Sequence, residues 1–186
     1  ATQLLTSTPT VFFPDFNSMA EVLQYEDVET AERNVISMGL NLAASQTGPK
    51  NVAANYLVMS VLRREFPQYQ YKVLSGTKES DYLMGRLGLS DMELFAVMGD
   101  KYKVKELLKR SKLFINLDFG MVLGNITIEA AAAGVPTICL RETSAGDVLG
   151  AAIPYRYDVG SAVEMARELL TDESAWRLES ARARER

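Results

Sequence analysis

The chain is 186 residues long, 47% hydrophobic and 24% charged, with a formal net charge of -4. That is the composition of one folded domain with a buried core, too short for two ordinary ones and too acidic for a broad electrostatic grip on nucleic acid. There is no histidine and only one cysteine, which excludes Ser-His and Cys-His catalysis, His-based metal sites and any internal disulfide framework.

Residues 1–17 are rich in Thr, Ser and Pro around Val11-Phe-Phe-Pro-Asp15 and read as an extended connector. Residues 18–33 are acidic and are expected to be helical in part. Val35-Ile-Ser-Met38, closed by Gly39, is the first strand. A polar loop from Ala43 to Pro49 leads to a helix over about 50–65, where Ala54, Val58, Leu62 and Phe66 recur every four residues and Pro67 marks the end. Tyr71-Lys-Val-Leu-Ser75 is a second strand closed by Gly76, and a helix is expected near 80–87. Glu93-Leu-Phe-Ala-Val-Met98, closed by Gly99, is a third strand. A short basic helix over 103–111 precedes Leu113-Phe-Ile-Asn-Leu117, the fourth. The cations Lys101, Lys103, Lys105, Lys109, Arg110 and Lys112 fall in this stretch and read as the solvated face of that helix.

A loop holding Gly120 and Gly124 then opens into an alanine-rich helix over about 125–133, capped by Gly134 and followed by Pro136. Thr137-Ile-Cys-Leu140 is the fifth strand, and Cys139 within it reads as a small buried hydrophobe. Helices near 160–171 and 173–186 close the chain. No apolar run approaches the ~20 residues of a membrane helix. No signal peptide is visible, and together with the lone cysteine this points to a reducing, cytoplasmic setting. The chain opens without methionine and stops inside a helical pattern, as expected of a piece of a longer protein.

Strand and helix alternate throughout, so the expected fold class is α/β: a doubly wound parallel sheet with helices on both faces. In such sheets ligands bind outside the carboxyl ends of the strands. The loops after Met38, Met98 and Leu117 are therefore the expected site, which brings in Gly39, Gly99 and Asp118. The strand–glycine–helix unit is the most informative of these. Backbone N–H groups near Asn125, Ile126 and Thr127 are left without helical partners and suit a phosphate, and Gly124 allows close approach. Glu129, one turn further, has acceptor oxygens for vicinal hydroxyls. The same unit also occurs as plain structure. Other nucleotide signatures are absent: no G-x-G-x-x-G follows a strand, Gly48-Pro-Lys50 lacks the spacing of a phosphate loop, and no D-x-D pair exists for a metal-bridged diphosphate.

The block Gly124-Asn-Ile-Thr-Ile-Glu-Ala-Ala-Ala-Ala-Gly-Val-Pro136 resembles the G-x-x-x-x-E-A-x-A-x-G-x-P segment of retaining GT-B glycosyltransferases, the glycogen-synthase-like family-four group. The stretch Leu107 to Leu117 resembles the helix and strand that precede it, and residues 169–186 resemble the closing helices. The resemblance covers roughly residues 34–186 and implies the C-terminal, Rossmann-like half of a GT-B fold. Residues 1–33 would then be a linker or a remnant of a preceding domain. It implies a domain that binds a nucleotide diphosphate sugar as donor substrate and has no other cofactor and no metal. The separate N-terminal acceptor-binding domain is absent from this chain. Peripheral membrane association of the full protein is a further expectation.

Residue by residue, the resemblance puts the ribose-binding glutamate on Glu129, the phosphate-binding amides near Gly124, Asn125 and Ile126, and the diphosphate lysine on Lys50. Leu40 stands where the group has a companion arginine, and Met121 where it has a second carboxylate. Leucine cannot make the bidentate contacts of a guanidinium, and a thioether cannot hold a hydroxyl or stabilise positive charge. Asp118 could substitute for the carboxylate from three residues earlier, or simply cap the strand end; Lys50 could equally be a surface lysine. No residue is assigned as catalytic. Three functions are thus open: an active glycosyltransferase seen as its donor half, a degenerate glycosyltransferase-like binding or regulatory subunit, and an unrelated doubly wound domain such as half of a sugar-nucleotide epimerase.

Overall fold

The computed structural model describes residues 32–39, 52–74, 82, 84–90, 92–95, 101–117, 125–140, 152–153 and 158–185. They form a six-stranded sheet: β1 (Val35–Gly39), β2 (Gln70–Leu74), β3 (Glu93–Phe95), β4 (Ser111–Asn116), β5 (Thr137–Leu140) and β6 (Ala152–Ile153). The strand order is β3-β2-β1-β4-β5-β6, and every pairing is parallel. Among the described residues the longer helices are α1 (Val52–Glu65), α2 (Lys101–Arg110), α3 (Asn125–Ala132), α4 (Val159–Thr171) and α5 (Glu173–Glu185). This is the doubly wound architecture expected from the sequence.

Alternation along the strands sorts side chains into two layers. Ile36 and Met38 of β1, with Leu113 and Ile115 of β4, pack against Val58, Met59 and Leu62 of α1 and Ala162, Ala166 and Leu169 of α4. Val35 and Phe114 point the other way, to Leu107 and Leu108 of α2 and Ala130 and Ala133 of α3. The central strands are buried on both faces, as parallel strands under two helical layers must be. Ser37 sits fully buried in β1, and its hydroxyl is satisfied by the Ser111 hydroxyl at 2.8 Å.

The end of α3 is fixed by its sequence. Gly134 takes φ +66, Val135 N–H donates to Ala130 O at 2.9 Å and Gly134 N–H to Ala131 O at 2.8 Å. This is the paired closure that a left-handed residue after a helix allows. A side chain there would also run into the Arg184 guanidinium. Asp158 caps α4 by accepting from Ser161 N–H at 2.9 Å.

The basic stretch needs correction. Its helix ends at Arg110, and β4 begins at Ser111 with no intervening loop. Lys112 is therefore on a strand, not a solvated helix face; it is buried, with its ammonium 2.8 Å from Glu173 and 4.0 Å above the Trp176 ring. A sixth strand, the two-residue β6, joins the five read from sequence; it carries too short a pattern to be read there. Of the expected third strand, 93–98, the residues described are Glu93–Phe95, and they are strand. Of the expected 80–87 helix, residues 82 and 84–86 are helical. The connector and the acidic stretch lie outside the described residues up to position 31.

Candidate functional site

The strand order reverses direction between β1 and β4. From β1 the chain moves outward to β2 and β3; from β4 it moves the other way, to β5 and β6. The carboxyl ends of these two strands are therefore the place where an open parallel sheet of this order forms a crevice.

Two side-chain amides hold this end together. Asn55, in the first turn of α1, is fully buried, and its Oδ1 accepts from the Leu117 N–H at 2.8 Å. Asn116 Nδ2 donates to Thr127 Oγ1 in the first turn of α3, also at 2.8 Å. The first turns of both helices are thus bonded to two consecutive residues where β4 ends. Neither helix has an acidic residue in its first turn. The positive ends of two helix dipoles thus lie beside the end of β4, with no carboxylate in either first turn to offset them.

Gly39 completes the packing here. A Cβ at this position would meet Phe114 Cζ at 2.8 Å and Ile126 Cγ2 at 3.4 Å. A side chain here would force the buried Phe114 ring to shift. Gly39, Ile126 and Thr127, named from sequence, are therefore brought together. Their side chains are structural: Ile126 packs against the second core cluster, and the buried Thr127 hydroxyl is engaged by Asn116. What this turn can offer a ligand is backbone N–H. Glu129 follows Asn125 by one turn, is half-buried, and makes interactions within the protein. Lys50, Gly99, Asp118 and Gly124, with Leu40 and Met121, lie outside the described residues, as does the side chain of Asn125.

Asn55 and Asn116 were not singled out from sequence. The signal was present: each is an amide inside an apolar pattern, Asn55 among Ala54, Val58 and Leu62, and Asn116 in Leu113-Phe-Ile-Asn-Leu117. A buried amide needs partners, but the partner's identity is a tertiary fact. Cys139 is fully buried, and burial pushes its thiol up to about 12. That is the inert, core-filling role expected of it.

No family model and no curated protein matches the sequence. Solved structures do match its fold. A single-site mutant of S. aureus TarM, in complex with Fondaparinux, alpha-GlcNAc-glycerol and UDP, superimposes with a TM-score of 0.69 at 11% identity, over 87% of this chain and 34% of that one. WaaG, a glycosyltransferase involved in lipopolysaccharide biosynthesis, gives 0.66 at 17% identity, over 91% of this chain and 46% of that one. The trehalose-6-phosphate synthase OtsA gives 0.64 at 16% identity, over 91% and 45%. The chain spans less than half the length of these proteins. It has the fold of one Rossmann-like half of a GT-B glycosyltransferase.

Proposed function

We propose that this chain is the donor-binding half of a glycosyltransferase and holds a nucleotide diphosphate sugar in the crevice between the carboxyl ends of β1 and β4. The observation that carries the reading is the bonding of the first turns of α1 and α3 to Leu117 and Asn116. Two helix starts beside the end of one strand favour a diphosphate, because a helix N-terminus offers backbone N–H donors and a partial positive charge. In this reading the amides of Asn125, Ile126 and Thr127 meet the phosphates, Lys50 adds a full positive charge, and Glu129 accepts from the ribose hydroxyls. Asp118 and Gly124 join the site as the chain neighbours of Leu117 and Asn125.

The chemistry follows from that placement. Cleavage of the bond from the sugar's anomeric carbon to the diphosphate oxygen leaves negative charge on the leaving group and positive charge on the sugar. Fixed donors at the diphosphate stabilise the first without a metal. The acceptor hydroxyl attacks the anomeric carbon, with retention of configuration as the reading implied by the resemblance. The acceptor itself belongs to a second domain, so this chain alone transfers no sugar.

Leu40 and Met121 favour a second reading, a glycosyltransferase-like subunit that binds the nucleotide without turnover. The two separate when the chain is joined to an acceptor half: donor consumption supports the enzyme, and tight binding with none supports the subunit.

Calorimetric titration against UDP, GDP, ADP and TDP sugars selects the ligand. With the best of these, Glu129→Ala should weaken binding by roughly 1–3 kcal/mol, while Met121→Ala should change it far less. A folded Glu129→Ala variant that binds like wild type would remove the ribose role and move the site elsewhere.

A further inference from the structure

Phe114 and Asn116 stand two residues apart on β4 and so share a face of the sheet. Phe114 packs there with Leu107 and Leu108 of α2 and Ala130 of α3. An apolar side chain at 116 would extend that layer, but the chain places a half-buried amide there instead. Such an amide is costly unless bonded. Asn116 Nδ2 donates at 2.8 Å to the Oγ1 of Thr127, which is fully buried in the first turn of α3.

An aspartate could make the same link. Its carboxylate would accept from the Thr127 hydroxyl, and its charge would sit favourably at the positive end of α3. The chain uses carboxylates in this way at other helix starts. Asp158 accepts from Ser161 N–H at 2.9 Å where α4 begins, and Asp172 accepts from Ser174 and Ala175 N–H at 2.8 and 3.1 Å where α5 begins. Where β4 meets α3 that stabilisation is absent, and the first turn of α3 has no acidic residue either. Stability left unused in this way is expected where a site must admit an anion.

We infer that Asn116 is a specificity-determining positioning residue: its amide holds the start of α3 in place while keeping that position neutral, and this neutrality favours ligands that carry more phosphate charge. The inference rests on the donor-site reading above. Asn116 acts through Thr127 and through the charge it does not bring, not by touching the reacting atoms. A nucleoside diphosphate, more negative than its monophosphate, loses more when a charge is placed at 116.

The test is calorimetry on the full chain with UDP, GDP, ADP and TDP, each against its monophosphate, alongside thermal melts. Asn116→Asp keeps the link and adds one charge. Its thermal midpoint should match or exceed that of wild type. Its Kd should rise about tenfold or more for the diphosphate that binds and about threefold for the monophosphate. The difference should narrow as salt rises. A residue with a merely structural role would move stability and affinity in the same direction. Should Asn116→Asp fail to fold, Thr127→Val and Thr127→Ser carry the test. Thr127→Val removes the acceptor and should raise the diphosphate Kd about threefold or more, whereas Thr127→Ser keeps the hydroxyl and should bind like wild type. A folded Asn116→Asp or Thr127→Val variant with wild-type diphosphate affinity, or a Thr127→Ser variant that binds no better than Thr127→Val, overturns the inference and leaves the donor site standing. A wild-type chain that binds none of these nucleotides removes the donor site and the inference with it.

Discussion

At the amino ends of β1 and β4 the buried polar groups include two cations, Arg33 and Lys112, gathered around Trp176; at the carboxyl ends they are the amide Asn55 and the hydroxyl of Thr127, with no buried charge among the described residues. Around Trp176 of α5, Lys112 lies over the ring and pairs with Glu173, while the indole N–H donates to Lys112 O at 2.6 Å. Arg33 reaches Ser111 O at 3.0 Å and Ala133 O at 2.7 Å, and Ser180 donates to Gly134 O at 2.6 Å. Burial pushes the Arg33 guanidinium down to about 10, the mark of a cation kept out of water for the sake of its bonds. This end fastens α5 across both layers of the sheet. At the other end Asn55 and Asn116 bond the end of β4 to the first turns of α1 and α3. One end of the sheet is thus tied to α5, and the other is the end at which we propose the ligand binds.

The comparison breaks most sharply at Trp176. Trp176→Ala removes a buried ring together with the platform under Lys112, and should cost about 3–5 kcal/mol in a urea melt. The nucleotide affinity of the remaining folded protein should not change. A folded Trp176→Ala variant with weakened binding would mean that the two ends are one cooperative site.

Asn55→Ala tests the other end. It leaves the buried Leu117 N–H without its acceptor and should cost about 1–3 kcal/mol of stability. Unlike Trp176→Ala, it should also weaken nucleotide binding, because the residue that leads into the 118–124 stretch is no longer held. Melts and titrations on the same preparations separate the two variants. Loss of stability with binding intact would show that Asn55 is merely a core amide.

How much of this was legible in the sequence depends on the range of the interaction. Local signals read well. The strand Thr137–Leu140, the cap at Gly134 and the helix start at Asn125 follow from apolar runs, a glycine and a proline a few residues apart. The loops after Met38 and Leu117 were named from the rule that ligands bind at the carboxyl ends of parallel strands, but the order of those strands, which sets β1 beside β4, is a tertiary fact. Arg33 was invisible: its partners are carbonyls 78 and 100 residues away, and a carbonyl has no sequence identity. Lys112 was misread because α2 runs into β4 with no turn residue between them, so its charge looked like part of a basic helix face.

The smallest expected effect concerns Arg167 and Glu65, a bidentate pair joining α4 to α1 on the surface. It looks stronger than the Lys112–Glu173 pair, with two short bonds against one. Yet both its side chains are substantially exposed, whereas Lys112 is buried. Water and salt screen an exposed pair, and holding two long side chains in place costs entropy. Arg167→Ala should therefore shift the urea midpoint less than either substitution above. The sign of its pH dependence follows from Glu65, whose carboxyl is held below its usual range chiefly by the Arg167 hydrogen bond. A depressed folded value means the contribution is present above the ordinary carboxylate pKa and is lost as pH falls through the folded one. Wild-type and Arg167→Ala midpoints, slightly apart at neutral pH in low salt, should merge in acid and again at roughly 1 M salt. A gap that persists in high salt, or one as large as that of Trp176→Ala, would mean that surface charge rather than the buried Trp176 cluster holds this end of the sheet together.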